Sequence, residues 1–418
     1  MDRIIEITFL ILYGLSYIEP HLKKLRKRIE RFLKPFYKAV LVALKNAIRK
    51  ITNLFMSREG PLVIIVSILL WLDSLLYVAG IGRAYDLYGR TIKIAFVCFL
   101  YQWFLKKRFP VINSSTFLIF MWLILDNAYT TIRFNQNYLE YAAIYCIVIV
   151  YSIWSVSKKQ MFIISLLCGI AGGAVLAVAN YTKFFAGWDG NTVSNVAFFG
   201  YTVFAAGFAN IRNKKYKIFL IIYSCVYFIW LQTLGARNAM LFSILLMLCV
   251  FKIIPLKKLL TEKSILFILL IPLIIAVLVV LVTNMPFVDH LNLWSIRHFK
   301  KSLFGGRDAL WEKGFRHWKE HFIFGEGKLR YNWHNSAVAC LVATGTPGYI
   351  AWIYMIRKFC VKAYKKIDDD VVLGILSSFL IIWLQQSVEQ GIMIDQGMPI
   401  IFCLLGLMLA RVNALDGG

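Results

Sequence analysis

The chain has 418 residues, of which 60% are hydrophobic, and its formal net charge is +25. Soluble domains are only about 45–50% apolar, so this composition excludes an ordinary soluble enzyme and indicates a polytopic membrane protein. The positive charge does not indicate nucleic acid, because the basic residues are distributed between apolar segments along the whole chain.

Residues 1–60 are predicted to form a basic amphipathic arm at the N-terminus. The stretch 4–18 is apolar but short and contains Glu6, and residues 21–58 alternate basic clusters with apolar residues. We interpret the arm as lying in the inner membrane interface, held by anionic lipids. One extra membrane span is the alternative.

Twelve apolar stretches follow, each long enough, or nearly so, to cross about 30 Å of hydrocarbon. They run over 61–80, 91–105, 111–131, 138–157, 160–182, 192–210, 216–234, 237–254, 264–284, 334–357, 371–390 and 397–411. The sequence therefore predicts an all-α protein with about 12 transmembrane helices, nine in residues 61–284 and three in residues 334–418.

Lys and Arg cluster at every second connection between these spans. The clusters are residues 106–108, 158–159, 212–217, 252–263 and 357–366. Because basic connections stay in the cytoplasm, both ends of the bundle are expected inside. The long connection 285–333, between the ninth and tenth spans, is expected outside. The acidic triplet 368–370 falls on the cytoplasmic side, where we interpret it as a solvated helix start.

The connection 285–333 contains a predicted amphipathic helix. Trp311, Phe315, Trp318 and Phe322 recur at helical spacing on one face. We interpret this stripe as a packing face rather than a sugar platform. The loop also carries more basic than acidic residues, which favours an anionic ligand.

Polar residues within the predicted spans concentrate in their outward halves. They are Asp73, Asp126, Asn127, Asn180, Asn195, Gln232, Arg237, Gln385, Gln386 and Glu389. Polar groups inside a membrane usually mark a cavity or a pathway. This distribution predicts an outward cavity for a substrate with a lipid tail and a polar head.

Two short motifs suggest chemistry on the outer side. Arg237 stands between two spans with almost no loop, where its guanidinium suits a phosphate; a lipid-anchoring arginine is the alternative. His334 and Asn335 stand directly before the tenth span. A capping histidine is the alternative reading of His334.

These residues resemble the O-antigen ligase and O-antigen polymerase superfamily. His334-Asn335, nine residues, Gly345, two residues and Gly348 match the polymerase pattern H-[N/S/Q]-x9-G-x-x-[G/T/Y]. The stretch "GGRDALWEKG" with "FIFGEG" is similar to the outer loop of that superfamily. Arg237 resembles its Ser-Arg-x-Ala helix start, although Ala236 replaces the serine. The resemblance covers residues 190–410.

The resemblance implies an all-helical, metal-independent membrane glycosyltransferase. Its partners would be an undecaprenyl-diphosphate-linked glycan donor, a saccharide or lipid-linked saccharide acceptor, membrane lipids and envelope polysaccharide assembly proteins. It would lie in the bacterial cytoplasmic membrane, with its active site on the extracytoplasmic side. Ligase and polymerase activities both stay open, and the HN pattern favours a polymerase.

For such a transfer, the sequence offers arginines and a histidine rather than a metal site. No DxD or carboxylate cluster faces outward to hold Mg²⁺, so we expect no metal and no cofactor. Arg237 and Arg307 are expected to bind the diphosphate, with Arg316 and Arg133 as supporting residues. His334 is expected to act as general base, kept neutral by the helix start and supported by Asn335, which would orient the ring or a sugar.

Three other functions remain open at this point. A flippase or other transporter of lipid-linked oligosaccharide would have a similar number of spans. An outward-facing hydrolase of the lipid diphosphate would use clustered histidines and arginines. A structural subunit of an envelope complex would need none of these residues.

Overall fold

The computed structural model describes residues 154–182, 190–208, 214–234, 236–299, 302–327, 333–389 and 399–416, with a few single positions between 42 and 148. The chain divides into two compact units, Met1–Pro61 and Leu62–Gly418. All helices below belong to the second unit. The predicted arm at 1–60 and the first four predicted spans lie outside the described residues, apart from those single positions.

Every regular element in the described part of the chain is an α-helix, in agreement with the all-α prediction. The helices are α1 (Lys158–Tyr181), α2 (Gly190–Phe208), α3 (Lys214–Thr233), α4 (Arg237–Val250), α5 (Leu256–Leu259), α6 (Glu262–Val282), α7 (Pro286–Phe299), α8 (Arg307–Glu320), α9 (Ser336–Tyr364), α10 (Asp370–Gln385) and α11 (Pro399–Asp416).

The sequence sets several of the helix starts through capping side chains. Before α1, Ser157 Oγ accepts from the Gln160 backbone N–H at 3.2 Å, and Gln160 Oε1 accepts from the Ser157 N–H at 2.7 Å. Thr261 and Ser264 make the equivalent pair before α6. Such capping boxes satisfy backbone donors that a helix leaves free, and they fix where these helices begin.

Three of the helices, α1, α6 and α9, are long and apolar enough to cross a membrane. Shorter apolar helices occur at Val193–Gly207, Lys217–Thr233, Arg237–Val250 and Asp370–Gln385. The eight predicted spans from residue 160 onward each coincide with a helix, with ends that differ by a few residues. The total of about 12 transmembrane helices stays a prediction.

Helices α2 and α10 lie at the centre of the described bundle and pack against each other. Helix α2 also packs on α1, α3, α4 and α11, and α10 packs on α4, α6, α9 and α11. Helix α6 is peripheral, since Phe267, Leu278 and Leu281 are exposed along it. An apolar exposed face of this kind suits contact with lipid.

Polar contacts tie the helices together at one end, which we call the His334 end. Asn180 Nδ2 of α1 donates to the Trp230 carbonyl of α3 at 3.3 Å. Gln385 Nε2 of α10 donates to Asn195 Oδ1 of α2 at 2.8 Å. Asn180, Asn195 and Gln385 are among the residues that the sequence analysis places in the outward halves of the predicted spans.

The opposite end is held by Asp369, which caps α10 through bonds from Val371 and Val372 N–H. Its carboxylate accepts from Arg411 Nη2 at 2.7 Å and lies 3.1 Å from Lys158 Nζ. Burial raises the pKa of Asp369, but the hydrogen bonds from Arg411 and Lys158 outweigh it and lower the pKa to about 2.

The interpretation of the acidic triplet as a solvated helix start is therefore wrong for Asp369. The side chain of Asp368 is 86% exposed and fits that interpretation, whereas the side chain of Asp369 is only 8% exposed. Three helices, α1, α10 and α11, meet at this one carboxylate. Sequence spacing gave no sign of this, because Lys158 and Arg411 are distant in the chain.

Candidate active site

The candidate site forms where α9 begins, directly after His334. The backbone of His334 has φ 48°, in the left-handed region. Few residues other than glycine adopt that region, although histidine is enriched among those that do. Such backbone costs on the order of 1–3 kcal/mol and persists only where its surroundings hold it. The neighbouring Asn335 fixes the backbone of His334 in this conformation through its own hydrogen bonds.

Asn335 is fully buried and uses its whole side chain within the protein. Its Oδ1 accepts from the N–H groups of Ala337 and Val338 at 2.9 and 3.1 Å, which caps α9. Its Nδ2 donates to the carbonyls of Pro272 and Ser387 at 2.9 and 3.0 Å. These four bonds leave no group for a sugar, so the residue supports the site by fixing the backbone around it.

The turn after α10 brings Glu389 between His334 and Arg307. Glu389 Oε2 lies 3.8 Å from His334 Nδ1, and Glu389 Oε1 lies 4.0 Å from Arg307 Nη2. Arg307 Nη2 also donates to the Val388 carbonyl at 3.2 Å. We call these three residues, His334, Glu389 and Arg307, the His334 cluster. Two of the predicted site residues are thus brought together through a carboxylate.

Arg237 is linked to this cluster through the next residue in the chain, Asn238. It is the first residue of α4 and is exposed, and its neighbour Asn238 donates from Nδ2 to Glu389 Oε1 at 3.1 Å. The start of α4 is therefore fixed to the same carboxylate as His334 and Arg307. This places the backbone of Arg237 at the His334 end, with its guanidinium accessible to a ligand.

Glu389 stands four residues beyond the last residue of α10, and its side chain is only 10% exposed. When ionised, Glu389 can accept a hydrogen bond from an N–H of the His334 imidazole.

The connection after α8 docks into a break in α9. Gly345 has φ 66° and ψ −176°, and this interrupts the helix. Residue 347 is proline and has no N–H. The groups freed by the break are bonded by the incoming loop: Glu326 N–H to the Val342 carbonyl at 2.8 Å, Gly327 N–H to the Ala343 carbonyl at 3.0 Å, and Thr346 N–H to the Phe322 carbonyl at 2.9 Å.

Two glycines allow this close approach of backbone to backbone. A Cβ built on Gly345 would lie 2.2 Å from the Ile323 carbonyl oxygen, and one on Gly325 would lie 2.0 Å from the Ala343 carbonyl carbon. The backbone angles of Gly345 are also nearly exclusive to glycine. Gly345, the first glycine of the HN pattern, is therefore required by the structure, because a side chain there would prevent the loop from packing against α9.

The amphipathic helix predicted in the loop is α8. Trp311 is buried and donates from Nε1 to the Trp333 carbonyl at 2.7 Å, and Trp318 Nε1 donates to Thr346 Oγ1 at 3.0 Å. The predicted packing role is confirmed for these two residues. Phe322 lies beyond the helix end and is 50% exposed.

Arg316 and Arg133, the other predicted supporting residues, are both exposed. The described contacts connect neither of them to the His334 cluster. Their roles stay predictions, as does the expectation that no metal takes part. Within the described residues, no group of three or more His, Cys, Asp or Glu side chains could hold a metal ion.

Sequence reasoning missed the role of Glu389 and of Asn238. The sequence indicates Glu389 only as one of several outward polar residues, and a single carboxylate does not form an acidic cluster. A usable signal was present, since Glu389 is the only charged residue in the predicted span 371–390. A lone charge in an apolar stretch usually has a function. Asn238 gave no such signal.

In comparisons with known proteins, no family model matches this chain and no curated protein sequence is similar to it. The resemblance to O-antigen ligases and polymerases therefore stays a prediction.

Proposed function

We propose that this protein is a metal-independent glycosyltransferase that moves a glycan from undecaprenyl diphosphate to an acceptor saccharide. The single observation that supports this most is the His334 cluster, in which a base, a carboxylate and a guanidinium meet. The reaction would occur on the outer face of the bacterial cytoplasmic membrane, and its product would be an O-antigen or a capsule-type polysaccharide.

In the proposed reaction, an acceptor hydroxyl attacks the anomeric carbon of the lipid-linked glycan. His334 Nε2 takes the hydroxyl proton, since Nδ1 faces Glu389 and a carboxylate there stabilises the protonated ring. The new C–O bond forms as the bond to the diphosphate breaks. The products are the extended saccharide and undecaprenyl diphosphate, and His334 then releases its proton to water.

The leaving diphosphate gains negative charge as its bond to the sugar breaks. Arg307 carries five N–H donors, and the Val388 carbonyl occupies one of them. The rest of its fork, with the exposed Arg237, supplies positive charge to the diphosphate. Glu389 would repel the diphosphate if it were alone, and Arg307 beside it offsets that repulsion.

The test is a transfer assay in proteoliposomes with undecaprenyl-diphosphate oligosaccharide and an acceptor. The wild type should form a new glycosidic bond and release undecaprenyl diphosphate, with EDTA present or absent, and His334→Ala should not. Translocation of labelled lipid without a new bond would identify a flippase. Release of phosphate without transfer would identify a hydrolase. Either result would overturn the proposal.

A further inference from the structure

A chain of hydrogen-bonded amides leads away from the His334 cluster. Ser336 Oγ donates to Gln386 Oε1 at 2.9 Å. Gln386 Nε2 then donates to Gln385 Oε1 at 3.3 Å, and Gln385 Nε2 donates to Asn195 Oδ1 at 2.8 Å. Ser336 follows His334 by two residues, so one end of the chain lies beside the cluster.

All three bonds run in the same direction, from Ser336 toward Asn195. Bonds aligned in this way polarise one another. The last member, Asn195, uses its oxygen as acceptor, and its Nδ2 donates to none of the described residues. Among the residues that the structure describes, the chain therefore ends in two N–H donors without an acceptor.

The position of Asn195 in α2 is distinctive. From Val193 to Gly207 every residue is buried except Asn195, which is partly exposed. Gln385 and Gln386 are 0% and 1% exposed. Burying amides is costly unless they are bonded, and a polar chain that only joined helices would have no need of an open end.

We propose that Asn195 is a binding residue for the saccharide portion of the lipid-linked substrate. Its N–H donors would bind a hydroxyl or acyl oxygen of a sugar, because a neutral amide suits such oxygens, whereas guanidinium groups suit phosphate. This proposal rests on the proposed function. With the diphosphate at Arg307 and Arg237, the saccharide portion would reach the exposed end of the chain at Asn195.

Asn195→Asp tests the proposal sharply, because an aspartate oxygen can still accept from Gln385 while both N–H donors are lost. Asn195→Ser is a second variant that also keeps an oxygen. Both variants should bind undecaprenyl-diphosphate oligosaccharide about tenfold more weakly, with a higher KM, and bind undecaprenyl diphosphate without sugar as the wild type does. Their Tm should stay unchanged. Asn292→Asp makes the same change at another partly exposed position, where the side-chain oxygen accepts from the Leu303 N–H, and it should bind both lipids normally.

Equal weakening for both lipids would overturn the assignment to the saccharide. Wild-type affinity in both variants would overturn the site itself. A lower Tm with unchanged affinity would leave Asn195 as a helix-joining residue and also reject the proposal. These binding measurements are independent of the transfer assay. If the wild type makes no glycosidic bond but the variants still lose saccharide binding, the transferase proposal is rejected and the Asn195 site is kept.

Discussion

Glu389 Oε2 lies 3.8 Å from His334 Nδ1, across the turn that follows α10. A carboxylate in this position favours the proton on Nδ1 and leaves Nε2 as the basic nitrogen. The sequence predicted that the helix start would keep His334 neutral and reactive. The structure adds a carboxylate beside Nδ1, which in the proposed reaction would stabilise the ring after proton transfer.

Glu389→Gln should therefore lower kcat by about 10²-fold or more, and His334→Ala by roughly 10²–10⁴-fold, the usual range for general-base catalysis. Binding of undecaprenyl diphosphate should persist in both variants. The exposed Glu320→Gln serves as the control. Normal turnover in Glu389→Gln, measured as glycan transfer in proteoliposomes, would remove the carboxylate from the mechanism.

Arg307→Lys and Arg237→Lys should each lower kcat/KM by about 10²-fold, because lysine keeps the charge but loses the bidentate fork. Arg307→Lys should be the more severe, since Arg307 also donates to the Val388 carbonyl beside Glu389. Arg297→Lys, at an exposed position on α7, is the matched control. If all three variants behave alike, the two predicted diphosphate ligands have no special role.

Gly345→Ala should destabilise the protein more than Gly306→Ala. Both glycines have positive φ, but a Cβ on Gly306 would meet nothing within 4 Å, whereas one on Gly345 would meet the Ile323 carbonyl. We expect about 1–2 kcal/mol for Gly306→Ala from strain alone, and at least roughly 2 kcal/mol more for Gly345→Ala. Thermal unfolding and protease cleavage within residues 302–327 would measure the difference. Equal losses would show that the loop does not need the break.

Asp369→Asn should lower stability at neutral pH by about 3 kcal/mol, because Arg411 would lose its buried partner. Asparagine can still cap α10. The pKa of Asp369 is lowered from 3.8 to about 2, so its contribution to stability is present above pH 3.8 and is lost as pH falls toward 2. The Tm values of wild type and variant should converge over that interval. The exposed Asp368→Asn should change little at any pH.

The sidedness of the bundle can be tested with single cysteines. A cysteine introduced at Ser302 should react with a membrane-impermeant maleimide in intact cells, and one at Lys215 should react only after lysis. The unsubstituted chain measures the background from native thiols. The reverse pattern would contradict the positive-inside assignment and, with it, a reaction on the outer face.

Helix positions followed well from the sequence, because apolar length and caps such as Ser157 and Thr261 act locally. The start of α9 and the helix around Trp311 were predicted for the same reason. The contacts that could not be predicted are those between residues far apart in the sequence. Glu389 meets His334, and Lys158 and Arg411 meet Asp369, only after the helices pack. The break in α9 at Gly345 could not be predicted either. A proline and a glycine within an apolar stretch do not indicate which segment will form hydrogen bonds with the backbone groups at the break.

The docked loop has a consequence for building chimeric proteins. Residues 322–327 and the two halves of α9 share one set of main-chain hydrogen bonds, so we expect that they must be exchanged together. Exchanging the loop alone would leave carbonyls of the recipient helix unbonded. Such an exchange would include residues 302–364 and would keep Pro272 and Ser387, whose carbonyls accept from Asn335.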